Sequence, residues 1–273
     1  MRASGSPTSE VCDDLGCAHP GSSVPVMEIV TLAQRPDLAV AMWEMPNNWP
    51  AFMMEDPVAE VLFGRLTETF ADYQLLALDD AGEVVGKLHS IPFGWDGTDA
   101  DLPDRGWDAV LSRGFTELRR GVTATAVSLL EARLAGDHLG RGNSRLLLEA
   151  GAANARRLGL KDMFGPVRPT AKHLEPRTPM SVYVSRVRAD GLPADPWLRV
   201  HVRMGARIVR VCTASMSVPG SLALWRSWTG LPFDVSGELE VPFALVPVHV
   251  SVEHDHAVYV EPNVWVHHRL EAP

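Results

Sequence analysis

The residues best placed to do chemistry lie where a glycine turn follows a strand that carries a carboxylate. Residues 139–144 read Leu-Gly-Arg-Gly-Asn-Ser. Before them, residues 122–134 form a β-branched and apolar run that suits a strand. After them, residues 145–158 place Leu146, Leu147, Ala150, Ala153, Asn154 and Leu158 at helical spacing. Gly159 stands where a helix C-terminus accepts positive φ, and a further apolar run begins at Leu160. The unit is strand, glycine turn, helix, strand. The first N–H groups of such a helix have no intrahelical partner and lie at the positive end of the helix dipole. Glycines let the backbone approach an anion closely. The turn therefore suits a phosphate or pyrophosphate, with Arg141 and Arg145 adding charge; a tight connection that binds nothing is the plainer alternative. Glu131 is the one carboxylate in the run 122–134. It is a general base, a ligand for a cationic amine, or a solvated residue on a half-exposed face.

These residues need a framework, and the rest of the chain supplies one. Residues 26–32 read as a first strand, 36–45 as a short helix and 57–70 as a helix with Pro57 in its first turn. The intervening residues 45–55 form a loop with aromatic anchors; Trp43, Trp49, Phe52 and Met53 either line a pocket or simply pack. Residues 73–78 and 83–91 flank Asp79-Asp80-Ala81-Gly82 and predict a hairpin. Residues 93–105 are a loop, and 107–119 an amphipathic helix. Residues 163–167 are a second strand of the central unit. The prolines of residues 168–195 exclude a long helix. This segment is basic, and it leaves the C-terminal end of a strand, where α/β sheets place ligands. Arg168, Lys172 and His173 make it a candidate substrate loop, a solvated basic loop being the alternative. A helix over 196–204, a strand over 207–218 and a helix over 222–229 follow. Residues 238–252 and 257–267 predict a terminal hairpin that extends the sheet or caps one side of the site.

The turn at 139–144 resembles the acyl-CoA loop of the GNAT superfamily of N-acetyltransferases, whose pattern is Gln/Arg-x-x-Gly-x-Gly/Ala. Gly142 meets the required glycine. Leu139 replaces the usual Gln or Arg, and Ser144 the final Gly or Ala. The resemblance continues through residues 154–160 and returns at residues 198–206. It implies an α/β fold with a mixed, mostly antiparallel central sheet and helices on both faces, carrying a C-terminal β-hairpin extension. The corresponding division is a disordered leader over 1–25, a GNAT-like domain over 26–218, and an extension over 219–273 packed on that domain. It further implies acetyl-CoA or another acyl-CoA as donor, attacked directly by the amine of a small-molecule acceptor. The donor's pantetheine arm would lie along the strand end near Leu134. Leu139, Gly140, Arg141, Gly142, Asn143, Ser144 and Arg145 would hold the pyrophosphate. Acyl transfer needs a base for the amine, a donor to the oxyanion and a proton for the thiolate. Glu131, or more weakly Asp137, would be the base. His201 falls where many members carry a Tyr that protonates the thiolate, with Tyr183 and His173 as substitutes.

Composition bounds the alternatives. The 273 residues carry a net charge of −9, which argues against a nucleic-acid or anionic-membrane binder. No apolar run reaches membrane-spanning length, and residues 1–25 lack the apolar core of a secretory signal, so a cytoplasmic protein is expected. Cys12, Cys17 and His19 match no zinc spacing, the five histidines of the tail need not converge, and no metal is expected. Cys212 reads as core. An acyl donor carried on a carrier protein is a rival for the same fold. A non-catalytic acyl-CoA sensor is a rival of another class. A dinucleotide-binding protein is disfavoured, because Asp162 opens a strand where a ribose-binding acid would be needed. The oligomeric state is open, with a homodimer one option.

Overall fold

The computed structural model describes residues 27–47, 49–138 and 142–270. The expected leader, its Cys12, Cys17 and His19, and the turn residues Leu139, Gly140 and Arg141 lie outside the described residues, as does the side chain of Asp137.

The chain runs β1 (Glu28–Thr31), α1 (Ala39–Glu44), α2 (Pro57–Leu62), α3 (Leu66–Thr69), β2 (Gln74–Leu78), β3 (Val84–Phe93), α4 (Gly106–Arg119) and β4 (Ala126–Leu134). It continues with α5 (Asn143–Arg157), β5 (Asp162–Val167), α6 (Met180–Val184), α7 (Pro196–Arg203), β6 (Arg207–Ser221), α8 (Leu222–Thr229), β7 (Gly237–Leu239), β8 (Val248–Ser251) and β9 (His256–Arg269). Among the described residues nine strands join one sheet in the order β1-β2-β3-β4-β5-β9-β8-β7, with β6 also pairing β9. Of the strands described, only β4 and β5 pair in parallel; α5 makes the crossover between them, as a parallel connection requires. The fold is the expected mixed, mostly antiparallel sheet with helices, and β8–β9 form the expected C-terminal hairpin.

The helix expected over 57–70 is broken. A 3-10 turn at Phe63–Arg65 separates α2 from α3. Gly64 weakens the helix there, and the break sets Phe63 against Trp107 and His89 at ring distances of 5.5 and 5.0 Å. The cores lie on either side of the sheet. One gathers α4, α8 and the aromatic residues Phe52, Trp225 and Tyr259; another packs Leu147, Leu148, Ala152 and Ala155 of α5 on β3 and β4.

Two irregularities shape the site. Along β3 and β4, His89 faces Glu131 but Ser90 faces Leu129, so Leu130 is an extra residue in the ladder, a β-bulge. The β4–β5 pairing covers only Val127–Met163 and Ser128–Phe164. Beyond it the two strands part, each still continuing toward its C-terminal end.

Candidate active site

A cavity of about 660 Å³ opens where β4 and β5 part. Its floor is residues 129–134 of β4 and 165–168 at the end of β5; Ser144 and Leu147 of α5 close one side, and Trp197 and His201 of α7 another. The opposite wall is aromatic, with Trp43, Trp49, Phe63 and Trp107. Trp107 donates its indole N–H to the carbonyl of the bulged Leu130 at 2.9 Å. Of the expected pocket aromatics, Trp43 and Trp49 are there with Met53, whereas Phe52 packs in the core against Trp225 and Tyr259.

Glu131 sits on this floor with its side chain 7% exposed. Trp49 donates its indole N–H to Oε1 at 2.8 Å. Lys87 Nζ and His89 Nε2 each lie 3.7 Å from Oε2, and Arg133 Nη1 lies 3.8 Å from Oε1. Oε2 itself is buried and has no hydrogen bond among the described residues. This surrounding removes the third sequence alternative: Glu131 is not a solvated surface residue. Burial, then neighbouring Arg133, lowers the Lys87 pKa. Arg133 in turn donates to Asn47 Oδ1 at 2.8 Å, so two loop residues, Asn47 and Trp49, are tied to β4.

His201 also borders the cavity, but it is not the charged acid that its type invites. Its Nδ1 lies 2.9 Å from His268 Nε2. Burial first, and His268 next, push its pKa down to about 3, and burial takes His268 to about 4. Both rings are neutral near pH 7, so His201 has no imidazolium proton to give and serves as a hydrogen-bonding group backed by a second neutral ring. When His268 donates to Nδ1, the His201 hydrogen sits on Nε2, an atom with no protein partner.

The donor-side residues divide. Leu134 and Ser144 line the cavity. Gly142 caps α5 at φ 79°, the left-handed region, where glycine is at ease. Asn143 is buried and donates its amide to the His138 carbonyl at 3.1 Å. Arg145 corrects the sequence reading: its backbone N–H is bonded to the Gly142 carbonyl, and its guanidinium pairs with Glu149 on the solvent face at 2.7 Å.

The basic loop divides as well. Arg168 and His173 border the cavity. Arg168 is fixed by Glu261 at 2.9 Å and lies 5.6 Å from the Trp49 ring. Glu261 also accepts from Tyr259 and Asn263. Lys172 and Tyr183 are corrections. The Lys172 ammonium is wholly buried and spends its three hydrogens on the carbonyls of Glu175, Pro176 and Leu245 at 2.9, 3.2 and 2.6 Å. Tyr183 donates to Asp195, the cap of α7, at 2.8 Å, and burial raises its pKa. Both hold loops rather than face the cavity. Cys212 is buried and its thiol is pushed up to about 12 by burial, an inert core residue as expected.

Lys87, His89, Arg133 and Glu261 were missed by sequence reasoning. A usable signal was present for three of them. Lys87 and His89, like Glu131 and Arg133, are spaced by two and share a strand face. Two adjacent apolar strands each carrying such a pair mark a polar site inside the sheet.

A curated relative, the arginine N-acetyltransferase avaD of Aspergillus versicolor, is 32% identical over 277 residues, spanning 90% of this chain and 95% of its own. The chain belongs to the GNAT superfamily of N-acetyltransferases. Two solved GNAT-like structures share its fold at low identity. The loading GNATL domain of CurA from Lyngbya majuscula superposes with a TM-score of 0.55 at 14% identity, covering 90% of this chain and 98% of that one. The GphF GNAT-like decarboxylase, in complex with isobutyryl-CoA, gives 0.53 at 20% identity, covering 89% and 100%. No protein-family model matches. The chain is thus an N-acyltransferase of the GNAT type. Among the described residues, no helix is long and apolar enough to cross a membrane, and no three His, Cys, Asp or Glu side chains form a metal-holding group.

Proposed function

We propose that this GNAT enzyme moves a short acyl group from acyl-CoA to the amine of a small cationic acceptor of the arginine class. The observation that carries this reading is Glu131. It is a buried carboxylate with one oxygen free of hydrogen bonds, on the floor of an aromatic-walled cavity where β4 and β5 part. The aromatic wall suits a cationic side chain, with Glu60 at its edge. Arg168 suits the acceptor's carboxylate. The acceptor of the curated relative, arginine, fits both.

In this reading the acyl-CoA thioester lies between the parted strands with its phosphates toward Gly142 and Ser144. Glu131 takes a proton from the acceptor ammonium. The freed lone pair attacks the thioester carbon, and the oxyanion forms near the backbone of the β4 bulge. The C–S bond then breaks and its electrons leave with sulfur. The thiolate becomes a thiol by taking the second nitrogen proton.

The test is thiol release from acetyl-CoA in the presence of arginine, agmatine, ornithine and an uncharged amine. The expected order favours the guanidino amines, and Glu131→Gln lowers kcat by about a hundred-fold or more. Turnover only with a carrier-protein thioester would replace the free donor. Binding of acyl-CoA without thiol release from any amine would make the protein a sensor.

A further inference from the structure

Behind Glu131, out of contact with the cavity, lies His89. Its protonation pattern can be read from its neighbours. Gln74 is fully buried and gives both amide hydrogens to carbonyls, Phe70 O at 2.8 Å and Ser90 O at 2.9 Å. The remaining Gln74 atom, Oε1, can only accept. It lies 2.9 Å from His89 Nδ1, so that nitrogen carries a hydrogen. His89 is wholly buried, stacked on Trp43 at 5.3 Å and met edge-on by Phe63 at 5.0 Å. Burial lowers its pKa to about 4, so near pH 7 the ring is neutral and Nε2 is a bare lone pair. Among the described residues that lone pair has no partner, and it is 3.7 Å from Glu131 Oε2, which has none either. Two buried acceptors aimed at each other gain from one hydrogen placed between them.

We propose that His89 is a positioning residue for the catalytic base: it accepts a hydrogen bond from Glu131 once Glu131 has taken the proton of the acceptor ammonium. The inference rests on the reading of Glu131 as the base. The proton moves from the ammonium nitrogen to Glu131 Oε2 and is shared with His89 Nε2. It returns to solvent through the cavity after the N-acyl product leaves.

The other groups around Glu131 act in the opposite sense. Lys87 from β3 and Arg133 from β4 favour its charged form, and Trp49 donates to it. Further charge around the cavity comes from Glu60 of α2, Arg168 after β5 and Glu261 of β9, with His173 and the neutral His201. The His89 lone pair behind Glu131 is placed to accept from it once the carboxyl carries the proton.

The test is the pH dependence of kcat. Asn at position 89 can keep the donor to Gln74 but lacks the second nitrogen. His89→Asn is expected to move the rising limb of the profile down by about one pH unit and to lower the plateau about three- to ten-fold. His89→Gln, whose amide oxygen reaches the Nε2 position, should restore part of both. A limb that stays in place in His89→Asn, while Glu131→Gln is inactive, overturns the inference and leaves the base intact. An unchanged profile in Glu131→Gln means that the base itself was misassigned. Nitrogen NMR of the unaltered enzyme gives a check that needs no variant. A hydrogen on Nδ1 and a bare Nε2 in His89 are expected; a hydrogen on Nε2 would overturn the inference.

Discussion

Gly142 matters for its backbone more than for the space around it. At φ 79° it adopts the left-handed region, yet an added Cβ would meet nothing within 4 Å among the described residues. The cost of Gly142→Ala is therefore conformational, about 1–2 kcal/mol, and falls on the turn that precedes α5. The expected outcome is a several-fold rise in KM for acetyl-CoA with kcat held at saturation. Gly142→Asn, which tolerates this region better, should recover part of the loss. An unchanged KM would show that the turn does not hold the donor. Glycine and carboxylate positions such as 142 and 131 are legible in the sequence because few residue types serve there. Lys172 and Tyr183 were misread for the opposite reason. A basic, proline-rich loop announces charge but not direction. The carbonyl that draws Lys172 inward belongs to Leu245, more than seventy residues away. His89 looks like any core histidine until Gln74 and Glu131 are placed beside it.

At the scale of elements, α2, α4 and β6 meet at two buried carboxyls. Asp56 caps α2, accepting from the N–H groups of Val58 and Ala59 at 2.9 and 2.8 Å. Asp108 lies in the first turn of α4, and both side chains also approach the Ser217 N–H of β6. Each carboxyl keeps one oxygen without a donor, Asp56 Oδ2 and Asp108 Oδ1. A single shared proton satisfies that arrangement. Burial, and then the adjacent Asp56, raise Asp108 to about 8. An unfolded Asp titrates near ~3.9. Between these values the folded chain holds a proton that the unfolded chain has released. Stability therefore falls as pH rises through that window and levels off above about pH 8. Asp108→Asn keeps a donor for Asp56 without the titration. Its melting temperature should gain on that of the unaltered protein steadily from pH 5 to pH 8. A constant difference across that range would mean that the pair holds no shared proton. None of this could be read from the sequence: Pro57 announced a helix start, but nothing local tied the preceding Asp56 to Asp108. The strands themselves were legible by alternation and turn residues. The break at Gly64 was not, because the apolar spacing runs through it unaltered.

For the whole molecule, the question is what residues 219–273 contribute. The sequence suggested a hairpin added to a finished domain, since a late pair of valine-rich strands gives no hint of its partners. β9 has β6 along one side for most of its length; on the other it has β8 at its start and β5 at its end. It is thus the strand through which β6, β7 and β8 join the sheet that carries the site. It also buries Tyr259, Val264, Trp265 and Val266 completely. At about 1.5–3 kcal/mol for each such side chain, these four contribute on the order of 6–12 kcal/mol. That is comparable with the entire stability of a typical domain, about 5–15 kcal/mol. Truncation after Val252 should therefore abolish cooperative melting and soluble expression, and with them the acyl-CoA site, even though the residues bordering the donor remain. Supplying residues 253–273 as a separate fragment should restore part of the soluble, active protein, because the gap between β5 and β6 has one register that buries all four side chains. A truncated protein that melts cooperatively and still binds acyl-CoA would show that the sheet closes without β9, and that the C-terminal region is an appendage after all.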